Sequence, residues 1–413
     1  MKYNKVFPIL ALAVILSLLM LAIPAAPALA QTITLNPPSG PPGTAITVTG
    51  TGFTAGNTYQ VTFAYGTTFA QVVASGTVSG TTFSATFNVP SVPRGTYEIR
   101  VVTTPQTFSP TFTVTPQITL SASSGYVGDT ITISGNGFAA STGITILFDA
   151  ISKGTTTTNA SGTFTGFSLT IPESTKGSHT VKAQETSAPS NYATATFTVS
   201  AKITINPTSG AVGDTVTISG NGFAASSTVT ISFDTASVGT AITNASGSFP
   251  STTFTVPSTS RGSHTIKAQD VSANYATATF TVSAKITINP PSGASGIEVT
   301  VDGSGFGASK PITIKYNNAL VPTDPASVTT GATGSFTAKF TVPGGLAGTY
   351  VVEASDGTNT ATANFVSTTD ATVSPTTSQA APGYVGMSLT ITGVGFLPNH
   401  TVTITYASEP VTF

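Results

Sequence analysis

The sequence feature that most constrains the fold is a Gly-x-Gly-Phe element that occurs five times. Its Phe positions are separated by 85, 85, 83 and 90 residues. Solenoid units have about 20–50 residues, so this longer period predicts a series of small domains. The repeated residues are Gly50, Gly52 and Phe53; Gly135, Gly137 and Phe138; Gly220, Gly222 and Phe223; Gly303, Gly305 and Phe306; and Gly393, Gly395 and Phe396.

The period divides the chain into a leader and five repeats. Repeats two and three are nearly identical around the element, from Gly128 to Ser141 and from Gly213 to Ser226, which indicates duplication. The predicted domains are a signal peptide over 1–30, immunoglobulin-like repeats over 31–115, 116–200, 201–284 and 285–368, and an incomplete repeat over 369–413.

The leader has the pattern of an export signal. Lys2 and Lys5 precede an apolar run, and Ala28-Leu29-Ala30 has the small-x-small form of a signal peptidase site. We therefore expect a secreted or cell-surface protein that begins at Gln31. An uncleaved membrane anchor is the alternative, because the apolar run just reaches membrane-spanning length. We expect no other contact with a membrane.

Within a repeat, apolar residues alternate with Thr, Ser or Lys at a period of two, which is typical of half-buried strands. Turn-forming residues separate these segments, and nothing outside the leader has helical spacing. About seven strands per repeat predict an all-β fold of tandem immunoglobulin-like sandwiches. Linkers as short as Ser200-Ala201-Lys202 predict a rod. In repeat three the strand segments are Ile203/Ile205, Val216/Ile218, Val229/Ile231/Phe233, Phe254/Val256, His264/Ile266/Ala268 and Ala278/Phe280/Val282, with a weaker one near Thr240 to Thr243.

The Gly-x-Gly-Phe element has a structural interpretation in this fold. Each copy follows the second strand, where glycine tolerates a positive φ or the close approach of another strand. We expect the Phe to fill the end of the sandwich. A phosphate-binding glycine loop would need a third glycine, a following helix and an acidic residue about 20 positions later, and the sequence has none of these.

The segment Asn206-Pro207-Thr208-Ser209-Gly210-Ala211-Val212-Gly213-Asp214-Thr215-Val216-Thr217-Ile218-Ser219-Gly220-Asn221-Gly222-Phe223 resembles the opening two strands of IPT/TIG domains, a branch of the early-set immunoglobulin-like folds. Similar stretches extend the resemblance over nearly the whole mature chain. The resemblance implies modules of surface receptors, bacterial envelope proteins, accessory parts of carbohydrate enzymes or DNA-binding transcription factors. Fold alone does not choose among them.

Charge and cysteine content exclude several classes of function. The chain has 14 Lys+Arg and 15 Asp+Glu, so it lacks the basic field that attracts nucleic acids. We expect no nucleic-acid partner. The absence of Cys excludes disulfides, thiolate metal sites and Cys nucleophiles.

The histidines give little indication of chemistry. His179 and His264 occupy the position where other repeats have Tyr97 and Tyr350. A position that accepts Tyr or His is interpreted as strand packing near the rim of the sandwich, rather than as a metal ligand or a base. The third histidine, His400, lies in repeat five.

Asp129 and Asp214 do not have the pattern of calcium ligands. Asp129 and Asp214 do not recur, because the equivalent residues are Thr44, Ile297 and Met387. Calcium needs six or more converging oxygens, which one carboxylate per repeat does not supply.

Asp149 and Asp234 end the third strand and are interpreted as turn or edge residues. No Ser has a His and carboxylate pairing that a motif suggests. We therefore expect no catalytic residue, no metal site and no cofactor, and hence no enzyme.

The sequence neither establishes nor excludes sugar binding and glycosylation. Tyr192 and Tyr275 are interpreted as packing residues at strand starts, although aromatic faces can hold glycans. Three triplets match the N-glycosylation pattern, namely Asn159-Ala160-Ser161, Asn244-Ala245-Ser246 and Asn399-His400-Thr401, and the first two also read as a tight turn.

The sequence favours a non-catalytic extracellular protein, namely a stalk or lattice segment of a cell envelope, S-layer or adhesin. The alternative is an accessory, carbohydrate-binding region of a larger secreted carbohydrate-active protein. The expected partner is a protein or glycan of the envelope. Repeat five stops after a predicted strand from Thr401 to Tyr406, so either the chain is a fragment or its open half accepts strands from another copy.

Overall fold

The computed structural model describes residues 30–410, and this part of the chain consists of strands and loops without a helix. It is an all-β protein of tandem immunoglobulin-like sandwiches. No described segment forms a helix of the length and apolarity that a membrane crossing requires. The predicted signal peptide lies outside the described residues, except for Ala30.

Repeat three illustrates the architecture of the complete repeats. Seven of its strands have five or more residues and one has two residues. The strands are Lys202–Asn206, Ser209–Gly210, Thr215–Asn221, Thr228–Phe233, Ala236–Ile242, Phe249–Thr255, Gly262–Asp270 and Tyr275–Val282.

These strands form two sheets. The first, third and sixth strands make a three-stranded antiparallel sheet, in which the third strand is central. The other five strands make the second sheet, in the order second, eighth, seventh, fourth, fifth. Side chains alternate between the core and the solvent, so that Val216 and Ile218 are fully buried while Thr215 is exposed. Each buried Val or Ile contributes about 1.5–3 kcal/mol relative to an exposed position.

Two details differ from the expectation based on sequence. Ser209–Gly210, which reads as part of a turn, is a short strand that pairs in parallel with Tyr275–Val282. The chain therefore changes sheets within a few residues after Lys202–Asn206. The weak strand expected near Thr240 instead occupies Ala236–Ile242, because it pairs as a hairpin with Thr228–Phe233.

Repeats one, two and four have the same pair of sheets with small variations. Repeat four replaces the fifth strand by three short pieces, one of which joins the other sheet. The strands of repeat one are Thr32–Asn36, Ser39–Gly40, Ala45–Thr51, Thr58–Phe63, Gln71–Thr77, Thr82–Asn88, Gly95–Thr103, Thr107–Phe108 and Thr111–Val114. Those of repeat two are Gln117–Leu120, Ser124–Gly125, Thr130–Asn136, Gly143–Phe148, Ile151–Thr157, Phe164–Thr170, Gly177–Glu185 and Tyr192–Val199. Those of repeat four are Lys285–Asn289, Ser292–Ala294, Glu298–Ser304, Pro311–Tyr316, Ala319–Leu320, Thr323–Asp324, Val328–Thr329, Phe336–Thr341, Gly348–Ser355 and Thr360–Thr368.

Repeat five is an open structure over its described residues. It has two hairpins, Asp370–Ser374 with Thr390–Val394 and Thr405–Tyr406 with Glu409–Pro410. The strand predicted from Thr401 to Tyr406 is wrong in length, because only its last two residues pair. Several apolar side chains of repeat five, such as Leu389, Ile391 and Val402, are more than 40% exposed.

The chain forms two compact units. Within the described residues, the first consists of 30–125, Asp129–Ile171 and Ser178–Thr198. The second consists of Tyr126–Gly128, Pro172–Gly177 and the residues from Val199 onward.

Candidate functional site

The first glycine of each complete Gly-x-Gly-Phe element makes room for an aromatic ring of the neighbouring strand. A Cβ on Gly220 would lie 2.3 Å from the ring of Phe249, its cross-strand partner. Backbone φ is not positive at this glycine, so close approach alone requires it. The equivalent pairs and distances are Gly50 with Phe83 at 2.1 Å, Gly135 with Phe164 at 2.3 Å and Gly303 with Phe336 at 2.0 Å.

The second glycine has a different role. Gly222 has a φ of 70°, and a Cβ there would lie 2.5 Å from the carbonyl oxygen of Ser200 in the linker. A side chain would therefore be strained by its backbone and would also strike the linker. The same holds for Gly137 against Thr115, Gly305 against Ser283 and Gly395 against Thr368, and Gly52 also has a positive φ.

The Phe of the element fills the end of the core, as expected. Phe138, Phe223 and Phe306 are fully buried, and each ring contacts the Phe that covers the first glycine. In repeat five the equivalent Phe396 is 38% exposed.

The backbone of this Phe also binds the preceding repeat. The amide N–H of Arg94 donates to the carbonyl oxygen of Phe138 at 3.0 Å, and that of Arg261 donates to Phe306 at 3.1 Å. Lys176 donates to Phe223 at 3.3 Å. Each of these pairs lies inside one of the two compact units. The Gly-x-Gly-Phe element is thus both a core plug and a joint element, and only the first role was expected from the sequence.

A buried carboxylate holds the residue that follows the Phe. Glu185 accepts a hydrogen bond from the N–H of Ala139 at 2.7 Å, and Asp270 accepts one from Ala224 at 2.8 Å. Asp356 accepts the equivalent bond from Gly307 at 2.8 Å. These three residues were not predicted from the sequence. Their recurrence eight positions after Gly177, Gly262 and Gly348 is the signal that could have found them.

A buried hydroxyl binds the other side of the same peptide segment. The hydroxyl of Thr243 donates to the carbonyl oxygen of Ala224 at 2.6 Å, and that of Thr330 donates to Gly307 at 2.6 Å. In repeat two, Thr158 donates to Ala139 at 2.7 Å. We call the residue after the Phe, which is Ala139, Ala224 or Gly307, the joint loop. Its backbone N–H and carbonyl oxygen both have partners, as peptide groups removed from water require.

The pKa values of the three buried carboxylates, Glu185, Asp270 and Asp356, are lower than the ordinary values of these side chains. Burial by itself raises the pKa of Asp356, but hydrogen bonds from Gly307, Asn359 and Thr358 outweigh burial and lower this pKa from 3.8 to about 2. The pKa of Asp270 is lowered in the same way. For Glu185, burial is outweighed by hydrogen bonds from Arg94, Ala139 and Asn191, so its pKa is also lowered.

Two of the joints add an arginine from the preceding repeat. The Nε atom of Arg94 lies 2.7 Å from Oε1 of Glu185, whose side chain is 1% exposed. Arg261 instead binds the side-chain oxygen of Asn359, and Asn359 donates to Asp356 at 2.7 Å. The arginine thus reaches the carboxylate directly in one joint and through an amide in the other.

The Tyr or His position at the start of the seventh strand fixes the loop before it. The hydroxyl of Tyr97 donates to the carbonyl oxygen of Pro93 at 2.8 Å, and Tyr350 donates to Leu346 at 3.0 Å. Nε2 of His264 makes the equivalent contact with Ser260 at 2.8 Å. This position corresponds to the tyrosine corner of immunoglobulin-like sandwiches. Here, histidine serves as a packing residue in place of tyrosine.

Two histidines have carboxylate partners that were not predicted from the sequence. Nδ1 of His264 lies 2.8 Å from Asp234, and Nδ1 of His179 lies 2.5 Å from Asp149. Asp149 and Asp234 lie in hairpin turns with positive φ, and each also accepts the N–H that follows the histidine. Burial raises the pKa of Asp234, but its bonds to His264 and Thr265 reverse this and lower it. The third histidine lies apart from these pairs, in exposed repeat five, with Nδ1 3.0 Å from the carbonyl oxygen of Pro398.

Asp214 contacts the linker region between repeats three and four. It accepts the N–H of Ala211 at 2.8 Å and lies 3.2 Å from Nζ of Lys285 in the next repeat. The Ala211 bond, followed by Lys285, lowers its pKa. Over residues 30–410, three or more His, Cys, Asp or Glu side chains are nowhere grouped as metal ligands.

Tyr192 and Tyr275 are less packed than expected. They are 50% and 57% exposed. Nζ of Lys182 lies 4.2 Å from the ring centre of Tyr192, and Nζ of Lys267 lies 4.9 Å from that of Tyr275. The interpretation as strand-start packing is therefore wrong for both. They are surface rings with a cation above them.

Two regions of the chain match a known domain family. The family model of the IPT/TIG domain matches residues 31–116 and 203–282. The second of these regions includes the segment of repeat three that carries the resemblance. Curated proteins include no match to the sequence.

Several solved structures resemble parts of the chain at low sequence identity. A tetra-tandem repeat from the extending region of a large adhesion protein is 18% identical and covers 82% of this chain and 100% of its own, with a TM-score of 0.22. Invasin, a bacterial integrin-binding protein, is 15% identical and covers 83% and 80%, with a TM-score of 0.21. A Bacteroides ovatus protein, SGBP-B, solved with a mixed-linkage heptasaccharide, is 13% identical and covers 62% and 72%, with a TM-score of 0.21.

Proposed function

We propose that this protein is a non-catalytic structural or adhesive segment of a cell surface. Two of its repeats match the IPT/TIG domain model. The observation that carries the proposal is the repeated joint. In each of three joints the Phe carbonyl binds an N–H of the preceding repeat, and the second glycine admits the linker carbonyl. A hydrogen bond between repeats and the close packing of the linker against the second glycine limit bending between neighbours, which is the property that a stalk or lattice segment needs.

The use of the ionisable residues supports a structural role. Glu185, Asp270 and Asp356 hold joint loops, and His264 and Asp234 hold a corner and a hairpin. The lowered pKa of each carboxylate follows from these structural bonds. A general base working near neutral pH needs a pKa raised toward 7, which is the opposite direction.

The proposed location is the outside of the cell, as a secreted or surface-attached protein. The charged n-region, apolar run and Ala-x-Ala pattern of the leader support this location. The proposed partner is a protein or glycan of the envelope. Surface labelling of intact cells, followed by mass spectrometry of the labelled protein, tests the location, and recovery of the protein only from lysed cells would overturn it.

Small-angle X-ray scattering of the mature chain tests the stalk role. The sequence predicts a rod of roughly 35 Å per repeat, and thus on the order of 140 Å for four repeats, from about ten residues at ~3.3 Å each. A single compact globule of this length would instead have a radius of gyration of about 20 Å. A maximum dimension far below 140 Å would contradict the proposed stalk.

A second candidate function is carbohydrate binding by an accessory region. It is favoured by Tyr192 and Tyr275, which present half-exposed rings at the same position of two repeats, each beside a lysine. Affinity electrophoresis in gels that contain plant or bacterial polysaccharides tests it. We expect retardation that the double variant Tyr192→Ala, Tyr275→Ala abolishes, and equal mobility in all gels would exclude this function.

A further inference from the structure

We propose that Asn159 and Asn244 are acceptors for an N-linked saccharide. The inference rests on the proposed export of the chain, and it concerns a covalent modification that the joint architecture does not require. Both residues open an Asn-Ala-Ser triplet, and both are exposed. The structure gives five further reasons, which concern the turn bonds, the amide nitrogen, the bonds kept after modification, the glycine at this position in repeat four and the exposed apolar surface.

Each asparagine uses only its side-chain oxygen in the turn. Oδ1 of Asn159 accepts the N–H groups of Ser161 and Thr163, both at 3.0 Å. Oδ1 of Asn244 accepts those of Ser246 at 2.9 Å and Ser248 at 3.0 Å. The nitrogen of each amide, which is the atom that takes a saccharide, has no part in these bonds.

The nitrogen is available to an enzyme. Among the described residues, Nδ2 of Asn159 has no protein partner, and Nδ2 of Asn244 makes one long contact of 3.4 Å with Glu173. A distance of 3.4 Å is beyond the usual range for a nitrogen donor and an oxygen acceptor. Glycosylation therefore displaces little.

The modified side chain remains compatible with the fold. In the transfer step, Nδ2 forms a bond to the anomeric carbon of a polyprenyl-phosphate-linked saccharide, whose carbon–oxygen bond to phosphate breaks. Nδ2 releases one proton, and the lipid phosphate leaves with the electron pair. The product amide keeps Oδ1 and one N–H, so both backbone bonds of the turn persist after modification.

The asparagine is not needed to form the turn. Repeat four has Gly331 at this position, and the same backbone bonds are present, from Gly331 to the carbonyl of Ser335 at 2.8 Å and from Gly334 to that of Gly331 at 3.0 Å. Repeat two has the equivalent bonds at Asn159, to Thr163 at 2.8 Å and from Gly162 at 3.0 Å. The two backbone bonds of the turn therefore form without an asparagine, and modification of the asparagine leaves them in place.

The saccharide would also hydrate a surface that has few charges. Only 7% of the residues are charged. Ile151 in the fifth strand of repeat two is 63% exposed, and Ile242 in the fifth strand of repeat three is 71% exposed. Low charge and exposed apolar side chains on strands favour association between chains. A bulky polar group at an exposed turn opposes this association.

The test is secretion of the chain, with a signal peptide of the host, from a eukaryotic cell line that performs N-glycosylation. Peptide mass spectrometry after enzymatic removal of N-glycans reports occupancy at each asparagine. We expect conversion to aspartate in the peptides with Asn159 and Asn244. Secreted protein with both asparagines unmodified would overturn the inference and leave the proposed structural function intact, because the host signal, not the native leader, directs export.

Two variants separate loss of the acceptor from loss of the fold. Ser161→Ala and Ser246→Ala remove the hydroxyl that the triplet requires but keep the asparagine and its turn. Each should remove one saccharide mass from the intact protein without a change in melting temperature. Asn159→Gly copies Gly331 of repeat four and should also remove one saccharide mass, with a lower melting temperature because Ser161 and Thr163 lose their Oδ1 acceptor. Asn206, followed by Pro207, is the internal control and should stay unmodified. Full occupancy in the Ser→Ala variants would also contradict the inference.

Discussion

Nε of Arg94 lies 2.7 Å from Oε1 of Glu185, so a partly exposed cation of repeat one contacts a buried carboxylate of repeat two. Glu185 also holds the N–H of Ala139, directly after the Gly-x-Gly-Phe element. One side chain thus links the joint between two repeats to the core plug of the second repeat. Loosening the joint should therefore weaken repeat two, even though Arg94 belongs to repeat one.

Arg94→Ala should destabilise repeat two. Glu185 would lose its cation and keep two neutral donors, and we expect a loss of about 2 kcal/mol. Hydrogen exchange at the amide of Ala139 should become faster. Arg100→Ala is the matched control, because the guanidinium of Arg100 lies over the exposed ring of Tyr65, 4.0 Å from its centre, in repeat one. Equal exchange in both variants would show that the ion pair does not support the joint loop.

Acid should unfold repeat four before repeat one. The folded-state pKa of Asp356 is about 2, below its ordinary value of 3.8. Between these values the unfolded chain binds more protons, so stability falls as pH decreases from about 4 to about 2, by about 2 kcal/mol for this group. Repeat one has Thr103 at the equivalent position and should lack this dependence.

The variant Asp356→Asn tests this pH dependence. It should lower the stability at pH 7 and flatten the acid limb of the stability curve for repeat four, followed by hydrogen exchange at Gly307. An unchanged slope between pH 4 and pH 2 would remove Asp356 as the cause.

Gly222→Ala and Gly213→Ala separate backbone strain from close approach. Both glycines have a positive φ, of 70° and 87°, but only a Cβ on Gly222 meets the carbonyl of Ser200, while Gly213 has open space. We expect a cost of about 1 kcal/mol at Gly213 and clearly more at Gly222. Gly222→Val should cost a few kcal/mol in a thermal melt. Equal melting temperatures for the two alanine variants would mean that the linker yields.

Calcium should leave the melting temperature unchanged. A ligand that binds the native state must raise it, and Asp214 is already bonded to Ala211 and Lys285. Scanning calorimetry with and without millimolar calcium checks this. A rise of several degrees would establish a cation site at Asp214 or Asp129.

The 413-residue chain should self-associate through repeat five. In repeats one to four the first glycine is covered by a Phe of the neighbouring strand, whereas the atom nearest to a Cβ on Gly393 would belong to Phe396 of the same element, at 2.9 Å. Strand Thr390–Val394 thus has an open edge and an exposed apolar face among the described residues. A strand of a second copy, with Phe opposite Gly393, fits this edge.

Light scattering over a range of concentrations tests this association. The mass of the 413-residue chain should rise with concentration, and that of a chain shortened to residue 368 should not. A constant monomer mass for the longer chain would exclude strand exchange.

The fold could be predicted from the sequence because the signals for it lie between residues that are close together in the chain. The period-two alternation in Val216 and Ile218 follows from the geometry of a single strand, and the repeat spacing follows from counting. The Phe that plugs the core and the glycines beside it were also visible. The two short or weak strands were misjudged, because Ser209–Gly210 and Ala236–Ile242 are defined by partners far along the chain.

Only the tertiary structure decided which residues make the joint. Glu185 and Arg94 are 91 positions apart, and Asp234 and His264 are 30 apart, so no local pattern connects them. Their contacts arise because sheet pairing brings distant strand ends together, and burial there makes each polar group require a partner. The sequence therefore determined where the strands and glycines lie. The roles of the buried carboxylates depended on which backbone amides the folded chain leaves without another acceptor.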